Sequence, residues 1–363
     1  MSDLIYEELR KLLDRHPTGC PSSPEIIEIL KLLFSCEEAK IATNLTFRPI
    51  PLPSIAKKMN IENNEAFKHL ESLANKGVVF AKKKDGEWNY ALLPIMPGLF
   101  EFPYMKPESN KNLDKLRDLW KVYLKVASRE FGSKSTSFSR IIPIQESIES
   151  KPGVLTYEKV YEMIEKSQVL GIAKCACREV EQKCESPRES CMLFDDTCTY
   201  LVERGFGRYI TKEEMKEKLK EFDKFGLVHQ INNAQDRLTF ICNCCPCCCG
   251  LLRAYTIEKN PHVVMFSSFI PKCDETSCTG CGICANERCP MAAIEMKDNM
   301  PIFNDKLCIG CGLCVTGCKE NAIELIRRQD IKEVAASTRD MGLKVLQDKG
   351  KLEGFLPLIM PSA

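Results

Sequence analysis

Two cysteine runs near the C-terminal end constrain the chemistry of this chain more than any other feature. The first run is Cys278, Cys281, Cys284 and Cys289, and the second is Cys308, Cys311, Cys314 and Cys318. Three cysteines separated by two residues each, with a fourth a few residues further on, form the run that wraps a [4Fe–4S] cluster. A single run could be a zinc site or an accident. Two in tandem within 41 residues predict two iron–sulfur clusters.

The segment from about Pro261 to Arg328 resembles a bacterial-type ferredoxin with two [4Fe–4S] clusters. In that family the fourth cysteine of each run binds the other cluster. The resemblance therefore implies that cluster I takes Cys278, Cys281, Cys284 and Cys318, and that cluster II takes Cys308, Cys311, Cys314 and Cys289. The chain departs from the family pattern in two places. Four residues precede Cys289 where three are usual, and Lys319 replaces a common proline, which should place a cation near cluster I.

Composition limits the classes of protein to which this chain can belong. A chain of 363 residues should hold two or three domains. The formal net charge is +1, so we expect no global field that would attract nucleic acid or an anionic membrane. No stretch of about 18 apolar residues and no signal peptide is visible. The 22 cysteines occur in CxxC runs of a long chain, which favours a reducing cytoplasm, most simply that of an anaerobe, over a secreted disulfide scaffold.

A second cysteine system occupies the middle of the chain. Its first group is Cys175, Cys177, Cys184 and Cys191, and its second is the string Cys242, Cys244, Cys245, Cys247, Cys248 and Cys249. Free cysteines pack well as small hydrophobes, but six in eight residues would add oxidation risk without a packing gain. All ten are therefore candidate metal ligands. The first group could hold either a further [4Fe–4S] cluster or a structural zinc.

The cysteine string requires a geometric explanation. Successive side chains of a strand face opposite sides, so neighbours such as Cys244 and Cys245 cannot easily bind one ion. Pro246 should break the strand and let the chain fold back. We expect one conventional four-cysteine site, plus an unusual cluster or a reactive dithiol centre within the string. Candidate catalytic residues are Cys244, Cys245, Cys247 and Cys248.

The remaining cysteines carry weaker signals. Cys198 is a minor further candidate, whereas Cys20, Cys36 and Cys273 are interpreted as core or incidental residues. The combined central and C-terminal pattern, from about Gly171 to Arg328, resembles a family of 4Fe–4S dicluster proteins from anaerobes. That resemblance implies iron–sulfur chemistry and no particular substrate.

The first hundred residues show helical periodicity and few cysteines. Helices are predicted over Pro24–Phe34, Pro53–Met59 and Glu62–Lys76, followed by a hairpin that turns at Asp85-Gly86. This order predicts a winged helix-turn-helix. The third helix has no arginine to read a guanine edge, and only the hairpin, at Lys82 to Lys84, is basic. We therefore expect protein docking or a homodimer through this region rather than DNA binding.

These signals together predict a multidomain α+β protein. The predicted domains are a winged helix over 1–105, a cysteine-rich α+β domain over 106–255, a two-cluster ferredoxin over 256–330 and a helical tail over 331–363. Within the central domain we predict helices over Leu113–Phe131, Tyr157–Lys166 and Thr211–Lys224, and strands over Leu227–His229 and Leu238–Ile241. A capping box of Thr211 and Glu214 marks the start of the third helix.

Three functions fit these patterns. The first is an oxidoreductase in which the ferredoxin domain exchanges electrons with a cysteine-bound centre in the central domain. The second is an electron carrier that docks on a partner enzyme, and the third is a redox-sensing transcriptional regulator. No flavin or nicotinamide fingerprint is present, so a low-potential protein is the expected electron donor or acceptor. Arg178, Arg253 and His229 could neutralise cluster charge or bind an anionic substrate, or could be ordinary scaffold residues.

Overall fold

The computed structural model describes residues 2–106, 111–148, 154–155 and 158–359. Over these residues the chain is a mixed α/β protein, and its strands form one sheet of seven strands, one of three and two of two. None of the described helices combines the length and the apolar character that crossing a bilayer would require.

The N-terminal region packs five helices against a small sheet. Its elements are α1 (Ser2–Asp14), α2 (Pro24–Leu33), α3 (Cys36–Ala42), β1 (Ile50–Pro51), α4 (Leu52–Met59), α5 (Asn63–Asn75), β2 (Val79–Lys84) and β3 (Glu87–Leu92). The Ser23 hydroxyl caps α2, and Ser35 forms a reciprocal capping box with Glu38 at α3. Asp85 and Gly86 both have positive φ, as a two-residue hairpin turn requires. The predicted hairpin is thus present.

A helical connection leads into the central domain. It contains α6 (Phe102–Met105) and α7 (Leu113–Ala127). A 3₁₀ turn at Ser128–Glu130 follows α7, so the regular helix ends four residues before the predicted Phe131. Leu116, Trp120 and Tyr123 of α7 are fully buried because they repeat at helical spacing on one face.

The central domain is built on the seven-stranded sheet. Its elements are β4 (Ser139–Ile141), α8 (Val160–Lys166), β5 (Leu170–Lys174), α9 (Ala176–Glu181), β6 (Glu189–Phe194), α10 (Asp195–Glu203), β7 (Gly207–Tyr209), α11 (Lys212–Lys224), β8 (Val228–Asn232), β9 (Phe240–Cys244), α12 (Gly250–Thr256) and β10 (Val264–Met265). The strand order is β10-β4-β8-β9-β6-β5-β7. The predicted helix start at Tyr157 lies outside the described residues.

Strands β9 and β10 have features that matter for the chemistry. Strand β9 runs on to Cys244 instead of ending at Ile241, so the first cysteines of the string are themselves strand residues. Strand β10 follows the cysteine string but pairs in parallel with β4 of the central sheet. The predicted cap of α11 is present, since the Thr211 hydroxyl accepts a hydrogen bond from the Glu214 N–H.

The two faces of the central sheet bury two different cores. Alternation along β5 and β6 sends Ala173 and Leu193 to the core shared with the N-terminal region, and Ile172 and Met192 to a second core that includes α8 and α11 residues. Cys244 and Cys249 belong to the first core, whereas Cys245 and Cys248 belong to the second. The sheet therefore divides the cysteine string between its two faces.

The C-terminal region holds the two tandem cysteine runs. Its elements are β11 (Phe269–Cys273), β12 (Ile294–Lys297), β13 (Met300–Phe303), α13 (Leu313–Thr316), β14 (Ile323–Arg327), α14 (Thr338–Asp348) and α15 (Leu352–Phe355). Strand β11 pairs with β14, and β12 with β13, both antiparallel. The tail packs on the N-terminal region, with the Lys351 ammonium 3.0 Å from the Asp14 carboxylate.

Candidate metal centres

Two cavities in the C-terminal region are each lined by four cysteines. The first is lined by Cys278, Cys281, Cys284 and Cys318, and the second by Cys289, Cys308, Cys311 and Cys314. Each cavity thus takes three sulfurs from one run and one from the other. This is the arrangement that the ferredoxin resemblance implies for two [4Fe–4S] clusters, and the donor sets fit them.

The loops around these cavities require glycine. Gly310 has a φ of 69°, and a Cβ there would lie 2.2 Å from the Phe269 carbonyl oxygen. Only glycine combines that backbone conformation with such a close approach. Burial raises the pKa of Cys311 to about 12, so this thiol needs a bound cation to become the thiolate that ligates.

The first cavity has two neighbours that bear on its electrostatics. Lys319 lines it, as expected from the sequence. Cys273, at the end of β11, lies near Cys278, and burial raises its pKa to about 12. The sequence interpretation treated Cys273 as incidental, because it stands outside the CxxC spacing. The fold nevertheless places it beside this cavity.

Four cysteines of the central domain form a compact cluster, which we call the four-thiol site. Its members are Cys184, Cys245, Cys247 and Cys248, and their sulfurs all lie within 4.8 Å of one another. The Cys184 sulfur is 3.6 Å from that of Cys245 and 3.8 Å from that of Cys248. The sulfurs of Cys247 and Cys248 are 3.7 Å apart. Cys245 and Cys248 are buried and the other two are half-buried.

The remaining six cysteines form a second cluster, which we call the six-thiol group. Its members, ordered so that each thiol neighbours the next, are Cys175, Cys177, Cys249, Cys244, Cys242 and Cys191. Cys191 stands directly opposite Cys242 in the register of β6 and β9, and residues so paired share one face of a sheet. The Gln230 amide donates to the Cys249 sulfur at 3.6 Å.

The structure groups these cysteines differently from the sequence expectation. Cys184, predicted to share a site with Cys175, Cys177 and Cys191, instead joins three members of the string. Helix α9 causes the separation, because it ends with Gln182 in the left-handed conformation and the chain then delivers Cys184 to the other core. Strand alternation separates Cys244 from Cys245, as predicted, and sends them to different clusters.

Arg178 lies between the two thiol clusters and is fully buried. Its guanidinium donates to the carbonyls of Pro187 and Asn243 and to the Ser190 hydroxyl, and its Nε has no partner. Burial acts to lower the pKa of Arg178, yet the nearby thiols of Cys175 and Cys245 leave it raised. Among the described residues no carboxylate pairs with Arg178, so a buried cation faces two sets of thiols.

Arg253 and His229, the other sequence candidates, have different surroundings. The Arg253 guanidinium pairs with the Glu181 carboxylate, so its charge is already neutralised. His229 is buried in β8, with Nδ1 2.6 Å from the Asn243 side-chain oxygen and Nε2 without a partner. Burial lowers its pKa. Sequence reasoning missed Gln230, which contacts Cys249, and Ser190 and Asn243, which contact Arg178, because ordinary polar residues in strands give no signal of such contacts.

A buried ion pair joins the second ferredoxin cavity to the central domain. Arg288, which precedes Cys289, lies 2.9 Å from the Asp223 carboxylate and also donates to the Leu313 carbonyl. The Thr316 hydroxyl donates to the same carboxylate at 3.0 Å. Cys289, Cys308 and Cys311 pack against the core that contains the six-thiol group. The second cavity and the six-thiol group are therefore in one packed unit.

Comparison with known families supports the C-terminal assignment. The model of the 4Fe-4S dicluster domain matches residues 277–323, which include both cysteine runs. A search of the curated proteins found no match to this chain. The C-terminal region is thus an iron–sulfur dicluster domain, a class of domain that points to electron transfer.

Proposed function

We propose that this protein is an iron–sulfur oxidoreductase. Its ferredoxin domain binds two [4Fe–4S] clusters through Cys278, Cys281, Cys284 and Cys318 and through Cys289, Cys308, Cys311 and Cys314. The six-thiol group binds a further iron–sulfur cluster, which exchanges electrons with that domain. A [4Fe–4S] cluster, when bound, takes up or releases one electron at a time.

The buried arginine between the thiol clusters is the observation that carries the proposal. A guanidinium taken out of water is strongly unfavourable unless negative charge compensates it. Neutral thiols supply no such charge, whereas a thiolate-bound iron–sulfur cluster is an anion. Arg178 therefore favours an anionic centre beside Cys175 and Cys244, and its positive charge should raise the reduction potential of that centre.

Other residues hold and tune the same centre. The Gln230 N–H donated to Cys249 stabilises the thiolate and reinforces the effect of Arg178. The Arg288–Asp223 pair fixes the ferredoxin loops against the end of α11. Because both partners are almost fully buried, this contact holds the second cavity at a fixed distance from the six-thiol group.

The six-thiol group also offers a reactive element. A cubane takes four cysteines, so two of the six remain as thiols beside it. Of the candidate catalytic residues, Cys244 belongs to this group, while Cys245, Cys247 and Cys248 belong to the four-thiol site. We propose the six-thiol group as the place where substrate is reduced or oxidised, with a low-potential protein in the cytoplasm of an anaerobe as electron donor or acceptor.

We propose that the N-terminal region is a winged helix that docks on its own central domain. The Lys82 ammonium of the basic hairpin lies 2.5 Å from the Asp196 carboxylate. Arg204 bonds to Glu71 of α5 at 2.9 Å, and the Tyr200 hydroxyl donates to the Ala74 carbonyl. These contacts occupy α5 and the hairpin, the surfaces that a DNA-binding winged helix would use. A homodimer through this region stays a prediction.

Electron uptake by the anaerobic full-length protein tests the proposal. Titration with a low-potential reductant should require about three electrons per chain, one for each cluster. A variant that combines Cys242→Ser with Cys244→Ser should require about two. Uptake of two electrons by both proteins would leave a simple electron carrier, the second candidate function.

A further inference from the structure

We infer that the four-thiol site binds a single Zn²⁺ ion as a structural centre, separate from the electron-transfer clusters. Cys184, Cys245, Cys247 and Cys248 are its four ligands. The inference does not depend on the proposed oxidoreductase function, because it concerns the other face of the central sheet.

Three of the six sulfur separations match one tetrahedral ion, and all six are within 4.8 Å. A Zn–S bond is about 2.3 Å long, and tetrahedral geometry then places the ligand sulfurs about 3.8 Å apart. The sulfur of Cys184 lies 3.6 Å from that of Cys245 and 3.8 Å from that of Cys248. The sulfur of Cys247 lies 3.7 Å from that of Cys248. The three separations equal the tetrahedral value within about 0.2 Å.

The ferredoxin cavities provide an internal comparison. A [4Fe–4S] cluster inserts four irons and four sulfides between its cysteines, which must stand further apart than the ligands of one ion. Within the part of the chain that the structure describes, no other set of three or more thiols, imidazoles or carboxylates closes to 4.8 Å. Neither the ferredoxin thiols nor the six-thiol group therefore closes around one point as the four-thiol site does, and the four-thiol site is spaced for a single ion.

The surroundings complete a closed thiolate site. The Lys183 N–H donates to the Cys248 sulfur, and the Ser186 N–H and hydroxyl donate to the Cys184 sulfur. The Arg178 guanidinium lies near Cys245, and its positive charge offsets the negative charge of a four-thiolate zinc centre. Four protein ligands leave no position open for substrate, which defines a structural site rather than a catalytic one.

Zinc is favoured over a lone iron by affinity, because Zn²⁺ binds a given thiolate site more tightly than Fe²⁺ does.

The structural role of the zinc ion follows from the position of its ligands in the chain. Cys244 and Cys249 of the six-thiol group directly flank the segment from Cys245 to Cys248. One ion that ties this segment to Cys184 fixes the backbone from which the two flanking thiols project.

Metal analysis with X-ray absorption at the zinc edge tests the inference on anaerobically purified full-length protein. We expect about one zinc per chain, with four sulfur neighbours at about 2.3 Å. Cys247→Ser, which alters a half-buried ligand, should lower the zinc content at least fivefold. Cys36→Ser, at an exposed cysteine of α3, should leave it unchanged.

The outcomes separate this inference from the proposed function. Absence of zinc from the wild-type protein, a lone iron in its place, or nitrogen and oxygen neighbours at the zinc edge would overturn it. Full zinc retention in Cys247→Ser would overturn it as well. Should that variant fail to fold, the zinc content and absorption spectrum of the wild-type protein decide alone. None of these results depends on the number of electrons that the protein takes up.

Discussion

The ferredoxin domain and the central domain both gather cysteines, but they do so by different means. In the ferredoxin domain, three ligands of each cavity come from one short CxxC run, and a single cysteine comes from the other run. In the central domain, a seven-stranded sheet divides nine of the ten cysteines between the cores on its two faces. Local spacing is therefore a reliable guide to a ferredoxin site. In the central domain the ligand sets depend on strand alternation and on where a helix ends.

The variant with the largest expected effect should lose the proposed cluster of the six-thiol group and keep both ferredoxin clusters. Cys242→Ser combined with Cys244→Ser removes two adjacent members of the six-thiol group from β9. We expect loss of about four irons per chain, with both ferredoxin EPR signals retained in the reduced protein. An unchanged iron content would mean that the six-thiol group is purely structural.

The next effect distinguishes the two ferredoxin cavities. Cys318→Ser should damage the cluster held with Cys278, whereas Cys289→Ser should damage the cluster held with Cys308. Each variant should lose one of the two EPR signals, and the two variants should lose different ones. If both variants lost the same signal, the exchange of the fourth cysteine between the runs would be refuted.

A smaller effect probes the buried positive charge between the two thiol clusters of the central domain. Arg178→Met removes a buried cation beside Cys175 and Cys245 and should lower the reduction potential of the central cluster by on the order of 100 mV. Loss of its hydrogen bonds should also destabilise the fold by about 2 kcal/mol. Arg178→Lys keeps the charge and should shift the potential far less. The reduction potentials are measured by EPR-monitored titration. Equal potentials in the wild type and Arg178→Met would show that the charge of Arg178 does not affect the cluster.

The smallest expected effect concerns the ion pair between Glu158 of the central domain and Arg327 of the ferredoxin domain. Burial opposes ionisation of Glu158, but hydrogen bonds from Arg327 of β14 and from the Leu155 N–H hold its pKa below the usual value of 4.5. A lowered pKa in the folded state contributes stability above pH 4.5, and this contribution is lost as the pH falls through the folded pKa.

Glu158→Gln should therefore cost about 1 kcal/mol of unfolding free energy at pH 7 and less in acid. Urea unfolding at pH 7 and pH 4 measures this difference. A cost that stayed the same at the two pH values would show that the carboxylate charge is not what stabilises the contact.

The sequence was sufficient wherever the signal was local. The CxxC runs, the Asp85-Gly86 turn and the cap at Thr211 depend on neighbouring residues, and the structure contains each of them. The membership of the central clusters was not accessible in this way. Cys184 lies seven residues from both Cys177 and Cys191, yet the end of α9 directs it to the opposite core. Gln230 acquires its contact with Cys249 from the placement of strand β8, which a single sequence does not specify.

The iron, sulfide and zinc content of anaerobically purified protein, with EPR of its reduced form, tests the central claim most directly. The account predicts about twelve irons, about twelve sulfides and about one zinc per chain, with one EPR signal besides the ferredoxin pair. About eight irons with the ferredoxin signals alone would contradict it, because the six-thiol group would then hold no cluster.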